Sequence, residues 1–236
     1  MFLTIAVPTY NRAEKLAHVL ECLAGNLLDG VQILVLDNHS SDHTPEIVDR
    51  YKNGLLRGRL SCFRHSINIG MCGNIMRCFE YASSEWLWIL GDDDEPIPEA
   101  VSNIHAALNA CPQADYFNFA TDILDYNFST GIVDFRARRE SSHVTTGLYD
   151  FIDGIDCFAN LIFMSSGLYR VNAFQKHVQS AYSFMHTLIP HITLLLLRLQ
   201  DDPSASCVFS NVPTVKWKPS PTSWSYDIYC NHVMFS

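Results

Sequence analysis

The stretch Trp88–Pro96, WILGDDDEP, decides how the rest of the chain is read. An apolar run enters three consecutive aspartates, a fourth acid and then proline. Three like charges in sequence repel, and each resists ionising beside the others. A divalent cation offers the simplest compensation, since magnesium takes one or two carboxylates and fills its shell with phosphate oxygens and water. Asp92 and Asp94 are one residue apart, so in extended backbone their side chains point to the same side. The competing reading is a solvated acidic turn or a helix N-cap favoured by the helix dipole. Pro98 does open a helical pattern through Val101, Ile104 and Leu108.

Working outward from the aspartates, the preceding residues alternate between strand and helix patterns. FLTIAV (Phe2–Val7) reads as a buried strand stopped by Pro8. A helix follows, with Asn11 and Glu14 at capping-box spacing, an apolar face of Leu16, Val19, Leu20 and Leu23, and Gly25 at its end. VQILVLD (Val31–Asp37) is a second strand. Thr44 then reads as a cap with Pro45 at the first helical position, giving a helix to about Tyr51. RLSCFRH is a third strand, NIGMCGN a glycine-containing loop, IMRCFEYA a third helix and EWLWIL a fourth strand. Such alternation predicts a mainly parallel sheet covered by helices. The strands are continuous apolar runs, as expected when both faces are buried. Ligands of such sheets bind beyond the carboxyl ends of the strands. The polar segments PTYNR, DNHSSD, NIGMCGN and GDDDEP all fall there.

The second half is less regular. DYFNFATDIL (115–124) and GIVDFRARR (131–139) read as strands, in an antiparallel arrangement. CFANLIFMSSGLYR reads as a strand with a loop, NAFQKHVQSAY and PHITLLLLRLQ as helices, and VPTVKWKPSPTSWSYD as an extended segment. With no linker or internal repeat, the reading is one domain over 1–236, divided into halves at 1–110 and 111–236.

Composition narrows the function classes. The 236 residues are 48% hydrophobic and 17% charged, enough apolar material for a sizeable core. Sixteen basic against 25 acidic residues give a net charge of −9, which argues against a nonspecific nucleic-acid binder. None of the eight cysteines forms a C-x-x-C pair, so buried thiols in a reducing compartment are expected. The opening MFLTIAVPTYNR lacks a basic n-region, and the apolar run Ile192–Leu197 is far shorter than the roughly 18 residues of a membrane span. The expected location is cytoplasmic, with peripheral association at the inner face of the membrane as an option.

Four segments together carry a family resemblance. IAVPTYNR, VLDNHSSDHT, HSINIGMCGN and WLWILGDDDEP resemble, in order and spacing, the opening strand and loop, the D-x-S-x-D-type loop, the N-x-G loop and the D-x-D segment of family 2 glycosyltransferases. Gly91, where many members carry an acid, is most similar to the abequosyltransferase-like branch. The resemblance covers about the first 100 residues and implies a GT-A fold, with a smaller antiparallel acceptor-side region in the second half. It also implies inverting hexosyl or deoxyhexosyl transfer from a nucleotide-diphospho-sugar to a saccharide or lipid-linked saccharide, in surface polysaccharide synthesis, with Mg²⁺ or Mn²⁺.

The resemblance further implies roles by position. Pro8, Thr9, Tyr10 and Arg12 would border the nucleobase. Asp37 would accept a hydrogen bond from it, with Asn38 or Ser40 holding the pocket. Asn68 and Gly70 would shape the floor. Asp92 would touch the ribose and Asp94 the metal, with Asp92 a second metal ligand. Asp93 would orient the sugar or join the metal shell. The family's base is usually an acid of an E-D pair opening a late helix, and no such pair occurs here. His191, after Pro190, takes that place, with His186 as second choice and a core or capping histidine as the plain alternative. Trp217 and Trp224 offer sugar-stacking faces.

Two other readings compete. One is a nucleotide-sugar- or carbohydrate-binding protein that kept the fold without turnover, motivated by the missing E-D pair. The other, a sugar-nucleotide pyrophosphorylase, needs a glycine-rich loop after the first strand, which PTYNRAEK does not supply.

Overall fold

The computed structural model describes residues 2–123 and 139–217. In chain order these form β1 (Leu3–Thr9), α1 (Ala13–Ala24), β2 (Val31–Asp37), α2 (Thr44–Asn53), β3 (Leu60–Arg64), α3 (Gly70–Tyr81), β4 (Trp86–Ile89), β5 (Glu95–Pro96) and α4 (Ala100–Ala110). There follow β6 (Tyr116–Ile123), β7 (His143–Thr146), α5 (Gly147–Asp153), α6 (Phe158–Ile162), β8 (Gly167–Arg170), α7 (Val171–Gln175), α8 (Val178–Ala181), α9 (Pro190–Asp201) and β9 (Ser206–Trp217). The rest of the 131–139 strand expectation beyond Arg139, the Trp217 side chain and Trp224 lie outside the described residues.

Among the described residues one sheet of nine strands runs β3-β2-β1-β4-β8-β6-β9-β5, with β7 also on β9. The first four are parallel, in the register Leu3 opposite Val31 and Trp86. Beyond β4 the direction changes: β8 is antiparallel to both β4 and β6. The strands of the second half are not wholly antiparallel, because β6 and β9 run parallel.

Side-chain alternation explains why both faces are covered. Leu3, Ile5 and Val7 of β1, Val31, Ile33 and Val35 of β2, and Trp86 and Trp88 of β4 join one buried cluster with Leu16, Val19 and Leu20 of α1. Ala6, Leu34, Leu36, Leu87 and Ile89 face the other way, against Ile75, Met76 and Phe79 of α3 and Leu194 and Leu195 of α9. Each such fully buried aliphatic side chain contributes about 1.5–3 kcal/mol. That is why apolar runs without polar interruption form the strands.

Local details depart from the sequence reading in four places. Asn11 does not cap α1. It sits in the left-handed region at φ 52°, and its side chain accepts from the Ser41 amide at 2.7 Å. Asp42, from the next loop, takes the Ala13 amide at 3.0 Å instead. Helix α3 begins at Gly70, five residues before the expected start, because Gly73 and Asn74 are buried and continue its inner face. Residues 172–182 contribute to two short helices rather than one, and CFANLIFMSSGLYR, expected as a strand with a loop, forms the helix α6, a 3₁₀ turn (Met164–Ser166) and the short β8.

Candidate functional site

The carboxyl ends of β2, β1 and β4 lie side by side, and the polar loops after them meet there. Thr9 ends β1 in register with Asp37 at the end of β2. The Asn38 amide continues the pairing to the Thr9 carbonyl at 2.9 Å. From that same residue the Thr9 hydroxyl donates to Asp92 Oδ2 at 2.7 Å. One residue thus links the second-strand acid to the fourth-strand acids.

The three aspartates have different surroundings. Asp92 is 5% exposed, with Thr9 on one oxygen and Arg12 Nη1 on the other at 2.9 Å. Asp93 Oδ2 accepts from Arg12 Nη1 and Lys15 Nζ, each at 3.1 Å. Asp94 turns to the second half of the chain, where the Ser165 hydroxyl donates to its Oδ2 at 2.5 Å. The same Ser165 Oγ accepts the Gly91 amide at 2.8 Å, and the Ser165 carbonyl accepts the Trp88 indole N–H at 2.8 Å. Glu95, the fourth acid, is drawn into β5 and pairs with Lys216 at 3.0 Å.

Burial dominates the electrostatics. It raises the pKa of Asp92 above the ordinary carboxylate value, although Arg12 and the Thr9 hydroxyl pull the other way. Asp94 keeps intermediate surface exposure, yet desolvation of its packed carboxylate, with Asp93 and Asp92 adding repulsion against the Ser165 hydrogen bond, pushes it up to about 7. Burial would lower the Arg12 pKa, but the charges of Asp92 and Asp93 outweigh it and the net direction is upward. Two cations against three carboxylates leave the cluster acidic.

A second cluster lies at the end of β2. Asp37, 1% exposed, accepts the Ser40 amide at 2.9 Å and Arg64 Nε at 3.0 Å. Ser40 Oγ accepts the Asn11 amide at 2.9 Å. Asn38 Nδ2 donates to Asn68 Oδ1 at 2.9 Å, and that oxygen also takes the Gly70 amide at 2.8 Å. Gly70 has φ +79°, a conformation that favours glycine. Pro8 lies in β1 opposite Leu36, and Tyr10 projects outward, 44% exposed.

Of the residues singled out from sequence, Thr9, Arg12, Asp92 and Asp93 come together, as do Asp37 and Ser40, and Asn38, Asn68 and Gly70. Arg12, expected beside the base, pairs with the aspartates, with the buried Asp92 at 2.9 Å and the partly buried Asp93 at 3.1 Å. His191 corrects the expectation of a base. It is 4% exposed at the start of α9, its Nε2–H donates to the Ile162 carbonyl at 3.0 Å, and burial lowers its pKa to about 4. A ring so enclosed matches the plain alternative, a core histidine. His186 is exposed in the 3₁₀ segment Tyr182–Thr187.

Sequence reasoning missed Lys15, Arg64 and Ser165. Arg64 ends β3 at the carboxyl edge of the sheet, where the aspartates lie, so the rule that found them applied to it as well. Lys15 is three residues after Arg12, one helical turn on. Ser165 carries no local signal.

The donor set suits a hard divalent cation: the carboxylates of Asp92 and Asp94 are oxygen ligands, and the guanidinium on Asp92 marks a position that accepts positive charge. Among the described residues no group of three or more His, Cys, Asp or Glu side chains converges as a ready cage. A cation there needs oxygens from a ligand as well. No helix among the described residues is long and apolar enough to cross a membrane.

A parallel βα half with acids at its carboxyl edge, joined through a strand reversal to a mixed half, defines a GT-A fold. The model of glycosyl transferase family 2 matches residues 4–156, well over half of the chain, and the chain belongs to that family. The abequosyltransferase RfbV of Salmonella typhimurium is 29% identical over 120 residues, covering 50% of this chain and 35% of that protein. A GalNAc(5)-diNAcBac-PP-undecaprenol beta-1,3-glucosyltransferase of Campylobacter jejuni is 29% identical over 108 residues, 45% of this chain and 34% of its own length. The chain spans about a third of the length of these curated relatives. S. aureus TarS 1-349 in complex with UDP superposes with a TM-score of 0.68 at 18% identity, over 94% of this chain and 61% of that one. At that identity the likeness is one of fold.

Proposed function

We propose that this chain is a glycosyltransferase that moves a hexosyl or deoxyhexosyl group, with inversion, from a nucleotide-diphospho-sugar to a saccharide or lipid-linked saccharide acceptor in surface polysaccharide synthesis. The observation that carries the reading is the Thr9 bridge. It sets a buried acid suited to a nucleobase, Asp37, beside a carboxylate cluster suited to ribose, diphosphate and sugar. The two curated relatives above are named as sugar transferases, which supports the class of reaction.

In this reading residues 1–110 hold the donor and 111–236 the acceptor, at a cytoplasmic site that includes peripheral membrane association. Pro8, Tyr10 and Asn38 line the base pocket, and Asn68 and Gly70 form its floor. Asp37 accepts from the base while Ser40 and Arg64 fix its orientation. Asp92 holds the ribose edge, Asp93 the sugar, and Asp94, with Asp92, the cation. Mg²⁺ or Mn²⁺, when bound, offsets charge growing on the departing diphosphate. The acceptor oxygen forms its bond to the anomeric carbon as the bond to the diphosphate oxygen breaks, and the acceptor proton passes to a base other than His191.

Thermal stabilisation by uridine, cytidine, guanosine and thymidine diphosphates, with and without Mn²⁺, tests the reading. A ligand at 100 times its dissociation constant adds about 2.7 kcal/mol, a visible shift. One nucleotide should shift the wild type only with metal, and Asp94→Ala should lose that shift while melting cooperatively. Shifts that ignore both the metal and Asp94 would sink the assignment. The buried His191 favours a second reading, donor binding without transfer. Metal-dependent binding with no product from any saccharide or lipid-linked acceptor would establish it.

A further inference from the structure

We propose that Arg12 competes with the divalent cation for Asp92 and Asp93, so that metal and nucleotide diphosphate are held as a pair and neither is held well alone. The inference rests on the donor-site reading above and adds a control element to it.

The carboxylates already have strong partners within the chain. Asp92 has Thr9 on Oδ2 and Arg12 on Oδ1, and Asp93 Oδ2 is shared by Arg12 and Lys15. A dication placed on Asp92 Oδ1 would stand within a few ångströms of a guanidinium, and such like charges repel strongly where solvent screening is poor. One group must give way. The Asp92 side chain is 6% exposed and tied to β1, whereas the Arg12 side chain is 30% exposed and belongs to the turn before α1. Arg12 is therefore the group that swings.

A diphosphate makes the swing favourable. It gives Arg12 and Lys15 new anionic acceptors, and guanidinium binds phosphate oxygens bidentately. It also brings the oxygens that the cation lacks here, since no three acidic, His or Cys side chains converge among the described residues. The two ligands then raise each other's affinity by the same factor, as linkage requires. Arg12 is a positioning residue in this scheme: its removal should help metal binding and hurt nucleotide binding, a split that general destabilisation does not produce.

The test is Mn²⁺ titration followed by the electron paramagnetic resonance signal of the free ion, on the wild type, Arg12→Gln and Arg12→Lys. Thermal melting confirms that each is folded. Without nucleotide, Arg12→Gln should bind Mn²⁺ about 10-fold more tightly than wild type, a usual size for coupled sites, while Arg12→Lys stays near wild type. Adding the nucleoside diphosphate that scores in the thermal panel should tighten Mn²⁺ more in wild type than in Arg12→Gln. If Arg12→Gln binds Mn²⁺ no more tightly while wild type still takes up the ion with nucleotide, the competition is wrong and the donor site stands. Absence of Mn²⁺ uptake by all three, with or without nucleotide, would overturn both.

Discussion

Ser165 and Asp94, 71 positions apart, share a hydrogen bond of 2.5 Å that joins the two halves of the sheet at the acidic cluster. It exists because β8 runs antiparallel to β4. The amino end of one strand thereby meets the carboxyl end of the other. Ser165, fully buried, also receives the Gly91 amide. Ser165→Ala should leave that amide unsatisfied at a cost of about 1–3 kcal/mol, read from the denaturant midpoint. Metal-dependent nucleotide binding should weaken as well, because Asp94 loses the hydroxyl that donates to its Oδ2. Binding equal to wild type would show that Asp94 needs no such support.

Gly91 tests the same carboxylate from the other side. A Cβ at this position would stand 2.5 Å from Asp94 Oδ2 and 3.1 Å from its Cγ. The obstacle is a side chain rather than backbone, so Gly91→Ala should fold while turning Asp94 away. Calorimetry should show metal-dependent donor affinity falling about 10-fold, or about 1.4 kcal/mol, with the melting temperature little changed. An unchanged affinity would mean that Asp94 can bind from another rotamer.

His191 gives a pH-dependent prediction. Its folded pKa of about 4 lies below the ordinary 6.5, so between those values the unfolded chain binds more protons. Its contribution to stability is complete above pH 6.5 and is lost as pH falls towards 4. A shift of that size corresponds to about 3 kcal/mol. Asp92 and Asp94 are shifted upward and act in the opposite sense, so the comparison must isolate the histidine. His191→Gln keeps a donor for the Ile162 carbonyl and does not titrate. The stability of wild type relative to this variant should fall by about that amount from pH 7 to pH 4 in urea melts.

The same variant separates core from chemistry. Loss of a general base lowers turnover by about 10²–10⁴-fold. With a sugar acceptor in hand, His191→Gln should stay within about 10-fold of wild type, well short of that loss. A larger drop in kcat in a well-folded variant would return His191 to the mechanism.

The fold of the first half was legible because its information is local. Each of β1, β2 and β4 is an apolar run that ends at a polar loop, and Leu16, Val19, Leu20 and Leu23 mark the buried face of α1. The start of α3 was missed because Gly70, Gly73 and Asn74 look like loop residues. Tertiary packing buries the last two, with Asn74 Nδ2 on the Leu36 carbonyl at 2.9 Å. In the second half the decisive contacts are long-range. Asn118, wholly buried, bonds Ser166 and Asn160 more than 40 positions away, and the buried Arg139 guanidinium bridges Asn118 and Asp156. No window of sequence contains both ends of such a bond. The acids after β4 were found because they are adjacent, whereas Ser165, which holds Asp94, comes from the 3₁₀ turn before β8, and Arg64, which holds Asp37, from β3.

Asp42 carries a last consequence. Its Oδ2 takes the first amide of α1, and its Oδ1 takes both the amide and hydroxyl of Thr44 at the start of α2. One carboxylate therefore fastens the loops after β1 and β2 to each other before any ligand arrives. The ordering entropy of these two walls falls on folding rather than on association. On the proposed reading, a nucleotide would enter between loops already fastened to each other, and discrimination among bases would depend on fit more than on how readily the loops close.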